Sequence, residues 1–119
     1  MIGAVLVIYK PNDEKVIENL KILSKQCDLI YIHINSKISK NLEHFLNEMK
    51  NVEIVFSQIN IGLGKSQNDG IDFFLSKRNF QHIIFVDQDT KISTDCIANM
   101  ESLICSLKAA GHKVGAIAP

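Results

Sequence analysis

The chain has 119 residues, with 13 basic and 13 acidic side chains and no formal net charge. Such a balance lacks the basic field that would draw nucleic acid or an anionic membrane. Hydrophobic residues make up 46%, enough for one buried core, yet no apolar run approaches the roughly 18–20 residues of a membrane-spanning helix.

The start, MIGAVLVIYKPN, has neither the basic opening nor the small-residue cleavage site of a signal peptide. A cytoplasmic chain is expected. Ala4 to Tyr9 reads as a buried strand, and Pro11 and Asn12 then signal a stop and a helix start. Val16, Leu20 and Leu23 recur with helical period. Leu29 to Ile34 reads as a second strand. Ser39 is placed to cap a helix whose Leu42, Phe45, Leu46 and Met49 share a face. Val52 to Phe56 reads as a third strand. A glycine-bearing loop follows and enters a helix with Ile71, Phe74 and Leu75. His82 to Val86 is a fourth strand ending at Asp87. Ser93 or Thr94 is expected to cap a helix with Ile97, Met100, Ile104 and Leu107 on one side. Val114 to Ala118 reads as a fifth strand.

This alternation predicts one α/β domain over residues 1–119: a mainly parallel sheet between helices on both faces, a three-layer α/β/α arrangement. The last strand has the character of a central one with nothing after it, so the expectation is a truncated domain. Cys27, Cys96 and Cys105 are odd in number and form no C-x-x-C, which argues for reduced core thiols over disulfides or a zinc site. His33, His44, His82 and His112 show no ligand spacing and read as structural or surface residues.

Ligands of parallel α/β sheets bind outside the carboxyl ends of the strands. Three unusual segments fall there: Tyr9-Lys10-Pro11-Asn12, Asn60 to Gly70, and Asp87-Gln88-Asp89. The second contains Gly64-Lys65-Ser66, the tail of a phosphate-binding P-loop. A full P-loop needs a glycine five residues before Gly64. Ile59 stands there, and a β-branched residue resists the backbone that a phosphate nest requires. The P-loop NTPase or kinase is therefore the alternative reading. The pair Asp87 and Asp89 brings two hard oxygen ligands near one point, suited to Mg²⁺ or Mn²⁺. A helix-capping turn at Asp89 and Thr90 is the competing role.

Together these segments resemble family 2 glycosyltransferases of the GT-A fold. That family shows a first strand ending V-x-Y-N, a loop N-x-G-x-x-x-x-x-N-x-G and a strand ending D-x-D. Here the counterparts are Val7-Ile8-Tyr9-Lys10, Asn60 to Gly70, and Asp87-Gln88-Asp89, in order along the chain. The form Asp-Gln-Asp is similar to the rhamnosyltransferase branch, which acts on O-antigen and related polysaccharides. The resemblance implies a Rossmann-like half that binds a nucleoside-diphosphate sugar, with dTDP-rhamnose favoured. It implies an inverting, metal-dependent transfer to a glycan or lipid-linked glycan acceptor, at the inner face of the membrane.

Residue by residue, the resemblance implies that Tyr9 lies near the base and that Asp87 contacts the ribose. Asp89 coordinates the metal, which Asp87 also approaches. Asn60 and Gly62 shape the turn, and Gly64 lets backbone approach the ligand. Lys65 either reaches the diphosphate or is solvated. Asn68 and Gly70 enter the next helix, where packing is an equal role. Many members carry an aspartate after the second strand for the base. Ile34 occupies that place here, which passes base recognition to Asn35 or other groups. The general base and the acceptor site belong to a second half of such enzymes, and Asp95 and Glu101 read as solvated helix residues instead. The chain is thus expected to bind donor without transferring sugar. Exposure of a surface meant for that half leads to an expected homodimer.

Overall fold

The structure, a computed structural model, describes residues 1–119. The apolar opening run forms strand β1 (Ile2–Ile8). Asn12 caps helix α1 (Asp13–Leu23), its side chain accepting from the Lys15 N–H. Strand β2 (Leu29–Ile34) and helix α2 (Lys40–Glu48) follow. Ser39 caps α2 as expected, accepting from the Leu42 N–H at 3.0 Å. Then come β3 (Val52–Phe56), α3 (Leu63–Lys77), β4 (His82–Asp87) and α4 (Cys96–Ala109).

The four strands form one all-parallel sheet in the order β3-β2-β1-β4. The period-2 alternation of each strand separates two faces. Ala4, Leu6, Ile8, Ile30, Ile32 and Ile34 pack under Val16, Leu20 and Leu23 of α1 and Leu42 and Leu46 of α2. Ile92 and Ile97 seal the same layer. On the other face Val5 and Tyr31 meet Phe74 of α3, with Phe73 and Phe80 beside them. The result is the three-layer α/β/α arrangement that the alternation predicted, and it is Rossmann-like. No helix is long and apolar enough to cross a membrane.

Glycine lets α3 approach the sheet closely. A Cβ on Gly70 would lie 2.8 Å from both methyls of Val5 and 3.0 Å from the Tyr31 ring, and one on Gly3 would meet the Phe74 ring at 2.5 Å. Gly70 therefore has a packing role.

Four expectations are corrected. Val114 to Ala118 forms no strand. The run lies beside β4, bordering a groove of about 310 Å³ lined by Ile84, Ile97 and Ile104, but it gains no ladder partner. Gly115 within it contributes no side chain to hold it there. Helix α4 begins one or two residues later than expected, with Asp95 in place of Ser93 or Thr94 at the cap and no capping side-chain hydrogen bond. The cysteines are all free, yet only Cys27 is buried; Cys105 is exposed. Leu75 also faces solvent, one residue beyond buried Phe74.

β4 pairs with β1 alone, and Phe85 on it is 48% exposed. The outer edge of the sheet is thus unpaired on this side.

Gly70→Ala should destabilise the fold by about 1–3 kcal/mol, because overpacking outweighs the helix propensity gained. Gly64→Ala should stabilise it by roughly 1 kcal/mol, since nothing lies within 4 Å of the added Cβ. Urea denaturation of both variants checks the opposite signs.

Candidate functional site: the cleft between β1 and β4

Chain order reverses at β1. β2 and β3 extend the sheet to one side, whereas β4 returns to the other. Helices α1 and α2 cover one face and α3 the opposite one. Such a switch point leaves a crevice at the carboxyl ends of the two central strands. Val7 is in register with Asp87, so the segments after both strands leave the sheet side by side.

A cleft of about 360 Å³ opens there. It is lined by Val7, Tyr9, Asn35, Asn60, Gly62, Leu63, Asp87, Gln88 and Asp89. Five residues singled out in the sequence come together: Tyr9, Asn60, Gly62, Asp87 and Asp89. Gly64 and Lys65 do not line it. Lys65 turns along its own helix and pairs with Asp69.

Four residues hold the walls, and two of them, Asn19 and Gln26, carry no signal in the sequence motifs. Gln88 is the first. Its amide accepts from the Tyr9 N–H at 3.0 Å and donates to the Tyr9 carbonyl at 2.8 Å. One side chain thereby supplies another rung between the ends of β1 and β4. Asn19 of α1, buried, donates to the Gln88 carbonyl at 3.3 Å and accepts from the Ile92 N–H at 3.4 Å. It fixes the turn that carries both aspartates. Gln26 holds the start of α4 in the same manner, bridging the Ser93 carbonyl and the Ile97 N–H.

Asn35 secures the third wall. Its amide donates to Ser66 Oγ at 2.8 Å and to the Gly62 carbonyl at 3.4 Å, and accepts from the Ile61 N–H at 3.4 Å. Both donors are consumed within the protein. Asn35 therefore shapes the loop. Gly62 adopts a left-handed φ of 87°, which an L side chain resists. Asn60 accepts from the Gly62 N–H at 2.9 Å and closes the turn. Ser66 is wholly buried and donates to the Gly62 carbonyl.

Behind this loop His33, 2% exposed, meets Ser57 Oγ through Nε2 at 2.5 Å and the Tyr31 hydroxyl through Nδ1 at 3.3 Å. Burial holds its pKa below the ordinary 6.5; Asp69 opposes the shift and Lys65 adds to it. The structural reading of His33 holds.

The electrostatics of the cleft are one-sided. Asp87 and Asp89 contribute two carboxylates. Neither is paired with a basic side chain, since the ion pairs of the molecule are His44–Glu48 and Lys65–Asp69. No group of three or more histidine, cysteine or acidic side chains gathers anywhere. Two hard oxygen donors fit Mg²⁺ or Mn²⁺, which keep several waters and take phosphate oxygens. They do not fit a closed zinc site.

Comparison with protein-family models gives no match, and comparison with curated proteins gives none. The site is therefore read from its own geometry.

Two outcomes are expected. Gln88→Ala removes two hydrogen bonds and should cost about 1–2 kcal/mol, read as a lower urea midpoint; Gln88→Glu should recover part, because it keeps the acceptor for Tyr9. For His33, the unfolded chain binds the proton more readily than the folded one. Stability should thus rise with pH through the window just below 6.5 and be lost as pH falls through it. Denaturation midpoints between pH 7 and about pH 5 check this, and His33→Gln should flatten the slope.

Proposed function

We propose that the chain is the donor-binding part of an inverting, metal-dependent glycosyltransferase of family 2, with the GT-A fold and of rhamnosyltransferase type. The observation that carries this reading is convergence. The three segments that resemble the family lie at chain positions far apart, yet Tyr9, Asn60, Gly62, Asp87 and Asp89 border one cleft at the switch point. A sugar nucleotide suits such a place, with its diphosphate near the acidic turn and its base toward Tyr9. Tyr9 is 43% exposed and offers a ring face for stacking.

Asp89 and Asp87 would hold Mg²⁺ or Mn²⁺, which supplies Lewis-acid neutralisation of the departing diphosphate. Gln88 and Asn19 would keep the two carboxylates aimed into the cleft. Asn60 and Gly62 would shape the loop that faces the nucleotide. The acceptor hydroxyl needs a general base, and no residue of this chain is assigned to it. Donor binding without transfer is the activity proposed for the chain itself. The acceptor, a glycan or lipid-linked glycan, and a membrane-proximal setting belong to the same proposal.

The P-loop alternative is disfavoured by two side chains. Lys65 is engaged with Asp69, and the Ser66 hydroxyl is buried against the Gly62 carbonyl and Asn35. A P-loop lysine and serine must instead face the phosphates and their metal.

Calorimetric titration with dTDP, UDP, GDP and ATP, with and without Mn²⁺, tests the reading. Binding of a pyrimidine diphosphate should require the metal, and Asp89→Ala should weaken it at least about tenfold, as loss of a metal ligand does. ATP binding that persists in Asp89→Ala and disappears in Lys65→Ala would overturn it in favour of the P-loop.

A further inference from the structure

Lys10 follows Tyr9 at the end of β1 and is held in an unusual state. Its φ is 43°, in the left-handed region. Glycine and asparagine enter that region readily, whereas lysine does so at a cost. The conformation is secured from outside: the Lys10 N–H donates to Ser36 Oγ at 2.8 Å. Strained backbone of this kind persists where the surroundings over-determine it, and it concentrates at ligand-binding sites.

The direction of the side chain adds a second observation. The Lys10 ammonium lies 5.3 Å from the centroid of the Tyr9 ring, and Tyr9 is a wall of the acidic cleft. No residue lining that cleft is basic. One divalent ion would offset the two aspartates and leave little for the charge of a diphosphate. Lys65 is bound to Asp69, and Lys15 and Lys91 line a neighbouring groove with Glu18, Asn19 and Asp89, away from Tyr9.

We propose that Lys10 is the anion-contacting residue of this site, its ammonium leaving the Tyr9 ring to meet the diphosphate as the base takes the ring face. This rests on the donor-binding reading above and deepens it. A cation resting on an aromatic face at an exposed position is weakly held, so the exchange favours the phosphate, where attraction to an anion is stronger. The side chain starts from beside Tyr9, itself a wall of the cleft.

The test compares the wild-type chain with Lys10→Asn and Lys10→Arg, using dTDP, UDP and the corresponding nucleosides with Mn²⁺. Lys10→Asn relieves the backbone and should raise the melting temperature by roughly 2–6 °C. It should also weaken diphosphate binding about tenfold, the effect of one lost charge-assisted contact. Nucleoside binding should be unchanged, and Lys10→Arg should keep diphosphate affinity within about threefold of wild type. If wild type binds diphosphate and Lys10→Asn binds it equally well, the Lys10 contact is overturned while the donor-binding reading stands. Equal losses for diphosphate and nucleoside would also overturn it, because the residue would then act only through Tyr9. A wild-type chain that binds no nucleotide would remove both proposals together.

Discussion

The structure depends on the parallel pairing of β1 with strands on both sides. β1 lies between β2 and β4, so neither of its edges meets water and its side chains are nearly all apolar. Parallel strands end at the same edge, and each must be followed by a crossover. The segments after β1 and β4 are thereby delivered to one place with no helix above them. The cleft follows from topology before any particular side chain is considered.

Neutral amides then give that place its shape. Asn19, Asn35 and Gln88 each carry a donor and an acceptor on one short side chain. Each ties backbone groups on segments distant in sequence. A carboxylate could only accept, and a lysine could only donate. The amides also leave no charge behind, so burying Asn19 and Asn35 costs little once they are bonded. The aspartates are treated in the opposite way. They stand on the same turn with no basic partner.

The two faces of the sheet are not equally finished. Beneath α1 and α2 the core is continuous. On the α3 face, Val5, Tyr31 and Phe74 form a compact centre that Gly3 and Gly70 make room for. Toward β4 the cover thins, leaving Phe85 exposed and the β4 edge unpaired. Covered and uncovered apolar surface therefore divides along β1, with the cleft at the boundary.

The sequence by itself determined the element order and the sheet class. Long apolar strands alternating with helical periods have few other solutions, and the caps at Asn12 and Ser39 follow from local chemistry. It also determined which segments leave the carboxyl edge of the sheet, because that depends only on chain direction. Only the tertiary structure decided which residues meet. Gln88 and Tyr9 are 79 positions apart, and Asn19 and Ile92 are 73 apart; nothing local marks either pair. Lys65 was legible as a basic residue in a glycine-bearing loop, but the neighbour one helical turn away, Asp69, claimed it. Val114 to Ala118 has the composition of a strand, yet a strand exists only where another backbone supplies its hydrogen bonds, and here none does.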